Sequence, residues 1–418
     1  MFFEEYKMHK KIHYHSDCPY FGGADNMLAT LFSSGELRKR YDITFSYRFS
    51  ELYAEGLAKR VKLDFPVYPV RIPDIYDFSL LSTTIPFFIR RVIFFTQRAL
   101  CILPLMAYEM LVFYRMMKII KPDIVHINNG GYPGAFSARA AAIGAKLAGV
   151  PLVMMVVNNM AVGYDIFFRW LDYPIDRAVV ASVNIFVTGS KAASKRLTEV
   201  LGVAANRLLS INHGMSYCAP TIAADEIRRL IGLEKFEGVI FGIAGVLGPR
   251  KGHYILLNAV LKLAELQKEG MPLFKIVIMG NGPLRNDLED FIESRDLSEY
   301  CIFVDEKEYK DYINYLMVFD VLVLSSTEYE DFPFVILEAM SHGKPVIASK
   351  VGGTTEQVIH GETGLLVDPG EIDQLVSAML KLLSSDKLRK QMGSAGREYF
   401  VNHFISEIAV DKYLLLYS

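Results

Sequence analysis

The chain has 418 residues, 51% of them hydrophobic, and a formal net charge of −2. That length supplies core for two or three domains, while the balanced charge gives no electrostatic footprint for nucleic acid as a partner. Cys18, Cys101, Cys218 and Cys301 lie far apart with no C-x-x-C pair, which indicates neither a disulfide framework nor a zinc knuckle and fits a reducing cytoplasm.

The N-terminal run MFFEEYKMHKKIHYH has early acidic residues and no apolar core followed by a cleavage site, so it does not read as a secretory signal. A strand over 10–15 leads through Gly22-Gly23 to the helical pattern NMLATLFSSGELRKR. Strand, glycine turn and helix open an α/β unit. The paired glycines can bring backbone N–H groups close to an anion at the helix start, or can form an ordinary tight turn.

Strands near 41–47 and 66–71 follow. Residues 79–119 are rich in Phe, Ile, Leu and Met, interrupted by Arg90, Arg91, Arg98, Glu109, Arg115 and Lys118. The longest uncharged run, Ala99 to Tyr108, falls short of the roughly 20 apolar residues needed to span a bilayer. Two readings stand: a core-packing helix, or a peripheral membrane contact in which arginines meet anionic headgroups.

KPDIVHINNGGYPG, 121–134, is a buried strand ending in Asn128, Asn129 and Gly130, with His126 inside the apolar run as a satisfied core histidine. A helix over 135–148 and the strand PLVMMVVNN place Asn158 and Asn159 at another strand end. Ligands of open α/β sheets bind at such ends. VNIFVTGS and RLLSINHGM supply two more strands, after which the first domain closes.

A second α/β series starts with GVIFGIAG, 238–245, and the loop Val246 to Arg250, where Lys251-Gly252 opens a helix. Arg250 and Lys251 at the mouth of that loop can neutralise a diphosphate, or can be solvated loop cations. FKIVIM leads into Gly280-Asn281-Gly282-Pro283, which lacks the third glycine of a dinucleotide fingerprint. CIFV, YKDYINYLM and DVLVLSS follow. VGGTTEQVIHGETGLLVDP reads as turns, and from Glu371 the pattern is helical to the end, with an aromatic face over EYFVNHFISEIAVDKYLLLYS that needs a partner.

Within LSSTEYEDFPFVILEAMSHGKPVIAS, 324–349, two carboxylates, Glu330 and Glu338, bracket a turn that becomes an apolar helix. Pro333 suits the helix start and Gly343 with Pro345 ends it, so the helix begins near Phe334. A buried Glu338 needs a donor: a cation such as Lys344, or a hydroxyl-rich ligand.

EDFPFVILEAMSHGKPVIAS, together with GVLGPRKG, GNGP and GGTTEQVIHGETGLLV, resembles the retaining glycosyltransferases of family 4, strongly from about 238 to 400 and more loosely before. The resemblance implies an α/β GT-B fold, two Rossmann-like domains facing a central cleft: 1–218, completed by a C-terminal helix at about 399–418, and a donor-binding domain at 219–398. It implies that Glu338 accepts from the donor ribose hydroxyls, that Glu330 faces the transferred sugar, and that the amides of Phe334 and Val335 meet sugar and diphosphate. Lys251 would neutralise the diphosphate, with Gly22-Gly23 approaching it; Asn281 and the loop at Asp305 would complete the donor side.

The implied activity is hexosyl transfer from a UDP- or GDP-sugar to a glycan or lipid-linked acceptor, in polysaccharide or glycolipid synthesis. It needs no cofactor, and the absence of a D-x-D triplet agrees with a metal-independent enzyme, placed in the cytoplasm or on the inner membrane face. Three departures stand out. Val246 replaces the arginine that follows the first glycine of the family's loop, so that either Arg250 or another cation substitutes or the leaving group is less well stabilised. Asn158 stands where a histidine is common. Glu330-Asp331-Phe332-Pro333 replaces an E-G-F-G turn. They motivate the alternative of a non-catalytic sugar-nucleotide or glycan-binding homologue; a nicotinamide-dependent dehydrogenase is the third reading, against which the incomplete fingerprint argues.

Overall fold

Alternation of strands and helices suits parallel sheets, because each parallel neighbour must be reached by a crossover. The computed structural model describes residues 9–73, 87–165, 169–267, 271–305 and 309–418. It divides into two units: Met1–Asn212 with Ala409–Ser418, and His213–Ile408.

In the first unit β1 (Lys10–Asp17), β2 (Tyr41–Arg48), β3 (Val67–Val70), β4 (Ile124–Asn129), β5 (Leu152–Val157), β6 (Ile185–Thr188) and β7 (Leu208–Ser210) form one sheet. Its order is β3-β2-β1-β4-β5-β6-β7, with every pairing parallel. The helical pattern after β1 breaks in two, Asn26–Ser33 and Gly35–Arg40, because Ser34 is extended and its hydroxyl oxygen accepts from the Leu37 N–H.

Strand alternation puts Ile12 and Tyr14 on one face of β1 and His13 and His15 on the other. The register sets His13 opposite Thr44 and His15 opposite Ser46. A continuous hydrogen-bonded chain results, from Thr44 Oγ1 through His13, Ser46 Oγ and His15 to Ser137 Oγ, with links of 2.9, 2.9, 2.9 and 3.0 Å. Both imidazoles are buried. Burial, with the neighbouring His15, lowers the His13 pKa to about 3, and burial lowers that of His15 to about 4.

Phe87–Ile120 is one 34-residue helix, and its Arg98–Ile120 part is long and apolar enough, by length and composition, to cross a membrane. The interrupted charge pattern had pointed to a shorter apolar run. Its inner face, Ile102, Leu105, Met106, Phe113 and Met117, is buried in a core shared with the helix Phe136–Ala148. Gly144 of that second helix permits the approach: a Cβ there would lie 2.9 Å from both Met110 O and Phe113 Cβ. Arg98, for which a headgroup contact was one of two readings, donates to Asp172 at 2.7 Å with a 10% exposed side chain, in line with the core-packing one. It belongs to a buried network in which Arg139 and Arg169 also pair with Asp172 and Asp176. The outer face keeps Leu100, Leu103, Tyr108, Leu111 and Ile119 exposed. The side chains of Arg90 and Arg91, and residues 79–86, lie outside the described residues.

The chain leaves the first unit after Asn212 and returns to it at Ala409, whereas the sequence placed these points at 218 and about 399. The later return has a physical reason. Phe404 packs edge-on against Phe332 at 5.4 Å, its carbonyl accepts from Met215 N, and the Met215 carbonyl accepts from Ser406 N, so the aromatics near 400 stay with the second unit. Only Tyr413 and Tyr417 of the expected face reach the first unit's core. There Tyr417 Oη lies 2.6 Å from His126 Nδ1 and accepts from the Tyr14 hydroxyl at 3.2 Å, which satisfies His126 as a core residue.

The second unit holds β8 (Val239–Ala244), β9 (Phe274–Met279), β10 (Cys301–Val304), β11 (Val321–Leu324), β12 (Val346–Ser349) and β13 (Gly364–Val367). The order is β10-β9-β8-β11-β12-β13, again all parallel. β13 lies in a stretch read as turns, because Gly361 just before it and Gly364 at its start are turn-type residues. Gly364 lets it close on β12, since a Cβ there would sit 2.4 Å from Val346 O.

The buried histidines couple stability to pH. Below the unfolded imidazole value of about 6.5 the unfolded chain takes up protons that native His13 and His15 refuse until about pH 3 and 4. Their linkage leaves stability intact above pH 6.5 and erodes it as pH falls below that value. Urea midpoints should fall between pH 7.5 and pH 5, and more steeply than in a His13→Gln, His15→Gln variant; equal slopes would remove the histidines as the cause.

Candidate active site

The order of strand addition in the second sheet reverses between β8 and β11, the position at which the connections of an open α/β sheet part and leave a crevice at the C-terminal strand ends. The loop after β8 is fastened on both sides of that point. On the β9 side, Leu247 N donates to Asn281 O at 2.9 Å and Leu284 N to Leu247 O at 3.0 Å. Gly280 makes the approach possible, having a φ of +137° and no room for a Cβ, which would lie 2.0 Å from Gly245 O. On the β11 side, Thr327 N donates to Arg250 O at 2.8 Å and the Ser325 hydroxyl to Gly252 O at 2.9 Å.

This fastening brings Arg250, Lys251 and Glu330 together. Lys251 Nζ lies 2.6 Å and Arg250 Nη1 2.9 Å from Glu330 Oε1, which also accepts from the Ser326 hydroxyl at 2.7 Å. Glu330 and Lys251 are largely buried, with side chains 6% and 15% exposed, while Arg250 is 39% exposed. Burial pushes the Glu330 carboxyl upward, but Lys251 and then Arg250 outweigh it and hold the pKa below its ordinary value. Burial lowers the Lys251 ammonium against the opposing pull of Glu330. Tyr329, immediately before Glu330, holds a left-handed φ of +58°, a conformation costly for a side-chain-bearing residue and found at sites that the surroundings over-determine.

Three residues on, the helix Phe334–Ser341 begins with Pro333 as its N-cap and ends before Gly343 in the left-handed region, as the sequence pattern predicts. The N–H groups of its first turn, at Phe334 and Val335, have no partner inside the helix. Glu338 lies buried on the same helix. The ammonium of Lys344, the cation considered for it, donates instead to Met317 O at 2.9 Å.

Other expected donor-side residues are placed differently. Asn281 uses its side-chain oxygen to accept from Gly282 N at 2.8 Å, capping its own loop, and Asp305 pairs with Arg285 at 3.2 Å with an 80% exposed side chain. Val246, in the arginine's position, is exposed.

In the first unit the ends of β1, β4 and β5 form a separate polar cluster. Asp25, fully buried, accepts from the Ser16 hydroxyl at 2.7 Å, the Tyr53 hydroxyl and Asn128 Nδ2 each at 3.0 Å, and Gly22 N at 3.4 Å. Burial raises its pKa against these donors. The Gly22 N–H is thus turned toward Asp25 rather than presented to a ligand, and Gly22 is needed for space, a Cβ there lying 2.6 Å from the Tyr20 ring. Around Gly23 a Cβ would meet nothing within 4 Å. Asn158 donates to Asn128 Oδ1 at 2.6 Å, and its own Oδ1 is buried with no hydrogen-bond partner. Asp25 was missed in the sequence, although an acidic residue closing a Gly-Gly turn before a helix was the available signal. His213 stacks on Phe334; the stretch RLLSINHGM reads only as a strand and does not mark it.

Residues 227–399 match the family model described as "Glycosyl transferases group 1". The chain is 30% identical over 288 residues to the sulfoquinovosyl transferase SQD2 of Arabidopsis thaliana, covering 66% of this chain and 53% of that protein, so it spans about half of that relative's length. It is 27% identical over 316 residues to an Escherichia coli UDP-Gal:alpha-D-GlcNAc-diphosphoundecaprenol alpha-1,3-galactosyltransferase, covering 73% and 77%. Among solved structures, Anabaena Alr3699/HepE in complex with UDP and glucose superposes with a TM-score of 0.73 at 19% identity, covering 98% of this chain and 99% of that one. Two parallel-sheet Rossmann-like domains with these neighbours define the fold as GT-B. The matched segment contains Arg250, Lys251, Glu330 and Glu338.

Removing one member of the Lys251–Glu330 pair leaves a buried charge without its partner. Glu330→Ala should cost about 3 kcal/mol in chemical denaturation, and combining it with Lys251→Met should recover part of that loss. Additive losses would show that the pair carries no coupling.

Proposed function

We propose that this protein is a retaining glycosyltransferase that moves a hexosyl group from a UDP-sugar to a glycan or lipid-linked acceptor, as in polysaccharide or glycolipid synthesis. The observation that carries the reading is the convergence of Lys251, Arg250 and Glu330 at the β8/β11 switch point, next to the first turn of the helix that bears Glu338. Two cations at a strand-end loop stabilise charge developing on a departing diphosphate. Open N–H groups at a helix start accept its oxygens, and a buried carboxylate on that helix suits ribose hydroxyl donors.

In the proposed reaction the acceptor hydroxyl attacks the anomeric carbon from the face the leaving group departs. The anomeric carbon–phosphate oxygen bond breaks as the new glycosidic bond forms. The acceptor proton passes to a phosphate oxygen of the leaving UDP. No protein nucleophile takes part; the chain orients the two substrates and balances charge on the leaving group. UDP is favoured over GDP because the Escherichia coli relative is named for UDP-Gal and the Anabaena structure holds UDP. The diphosphoundecaprenol acceptor in the first of those names supports the lipid-linked alternative. The exposed apolar residues Leu100, Leu103, Leu111 and Ile119, with Arg115 and Lys118 on the same helix, supply a surface for peripheral contact with a cytoplasmic membrane face.

Product formation from a panel of UDP-sugars, with anomeric configuration read by NMR, tests the reaction. Lys251→Ala should lower kcat about 100-fold or more, and Glu338→Ala should abolish the UDP thermal shift with the fold intact. Activity should persist in EDTA, since Lys251 and Arg250 supply the positive charge. Donor binding without hydrolysis or transfer would instead identify a non-catalytic binding homologue. Liposomes containing anionic lipid should co-sediment the protein at low salt, and Leu100→Glu, Leu103→Glu should release it; unchanged sedimentation would reject the membrane contact.

A further inference from the structure

The turn between Glu330 and the helix Phe334–Ser341 is held by an aromatic cluster with an imidazole at its centre. The His213 ring stacks on Phe334, with centroids 5.0 Å apart and planes 15° apart, and meets the edge of Phe332 at 5.8 Å. Phe332 in turn packs on Phe404 at 5.4 Å. Two residues beyond His213, Met215 is bonded on both sides to residues 404–406, so the backbone that carries the ring is fixed. His213 is 5% exposed, and its Nδ1 is buried with no hydrogen-bond partner. A second unpartnered polar atom sits at the same turn: Gln357 donates from Nε2 to Pro333 O at 3.0 Å, while its Oε1 is buried without a partner.

Packing alone does not require a histidine here, since phenylalanine would stack equally well and leave no polar atom unmet. A rigidly held, unsatisfied nitrogen against the first residue of a helix whose N–H groups are also open is the arrangement of a site completed by a ligand. Burial lowers the His213 pKa to about 4, so near neutral pH Nδ1 belongs to an uncharged imidazole that can donate or accept according to tautomer. An uncharged group of this kind suits a hydroxyl better than a phosphate oxygen.

We propose that His213 is a specificity-determining residue of the donor site, its Nδ1 hydrogen-bonding a hydroxyl of the transferred sugar. This rests on the glycosyltransferase reading. It assigns sugar recognition to the first residue of the second unit, beside a turn in which Pro333 stands in place of glycine and an amide donor is lost.

The test is His213→Phe, with His213→Asn as the variant whose side-chain amide lies near the place of Nδ1. UDP and UDP-glucose or UDP-galactose affinities are measured by calorimetry, with the melting temperature of the free protein. His213→Phe is expected to melt no lower than the wild type and to bind UDP within twofold. It should lose about tenfold in affinity for the UDP-sugar that the wild type prefers, with His213→Asn recovering part of the loss. Equal weakening of UDP and UDP-sugar, or no change in either, overturns the assignment. If His213→Phe unfolds, His213→Asn carries the test: loss of the preference between the two UDP-sugars with UDP binding intact supports the proposal, and an unaltered preference overturns it. A wild type that binds no UDP or UDP-sugar removes the glycosyltransferase reading itself.

Discussion

Glu330 is a carboxylate taken out of water, and the loops around it are arranged to make that tolerable. Isolated burial of such a charge costs several kcal/mol, so the site exists only where Lys251, Arg250 and the Ser326 hydroxyl all reach one oxygen. Those groups belong to loops after β8 and β11, strands 80 residues apart in sequence for the Arg250–Glu330 bond. Only parallel pairing of β8 with β11 sets both loops at the same end of the sheet. The close backbone contact at Gly252, where a Cβ would lie 1.9 Å from Ser325 O, then fixes their spacing, and Gly280, where one would lie 2.0 Å from Gly245 O, fastens the β8 loop to the loop after β9. The strained Tyr329 is paid for by this surrounding structure.

The first unit solves a related problem by different means. Its inner strand β1 alternates Ile12 and Tyr14 with His13 and His15, and the histidine face is satisfied internally by hydroxyls of β2 and of the helix Phe136–Ala148. At the strand ends the polar residues are not fully satisfied: Asn129 Nδ2 and Asn158 Oδ1 remain unpartnered beside the buried Asp25 cluster. Asn158 cannot shuttle a proton as an imidazole does, so in the proposed reaction the acceptor proton goes to the phosphate. With an exposed Val246 in the arginine's position, the proposed reaction relies on Lys251 and Arg250 as the cations beside the leaving group.

Much of the architecture was legible in the chain alone, for a physical reason. Buried parallel strands must be apolar throughout, and the polar or glycine-rich residues that follow them mark strand ends; this located β4, β5, β8, β9 and β11 and put Asn158, Lys251 and Glu330 on the loops beyond strand ends. Proline and glycine bounded the helix Phe334–Ser341 because they limit backbone conformation locally. Short or interrupted elements were less visible. β13 opens on Gly364 just after Gly361, so its stretch carries turn residues, and Ser34 splits a helix through a single cap that composition does not reveal.

What sequence could not decide was partnership across distance. Arg98 in an apolar run reads as a headgroup ligand until the fold sets it against Asp172, 74 residues away. Lys344 reads as the counter-ion of Glu338 until Met317 O takes its ammonium. Gly22 reads as an open anion cradle until Asp25 claims its N–H. The residue types, and therefore the chemistry available at strand ends, were determined by the sequence itself. Which charges neutralise one another, and which buried nitrogen at His213 is left for a ligand, was decided only by tertiary structure, because desolvation and pairing depend on neighbours that one-dimensional order does not contain.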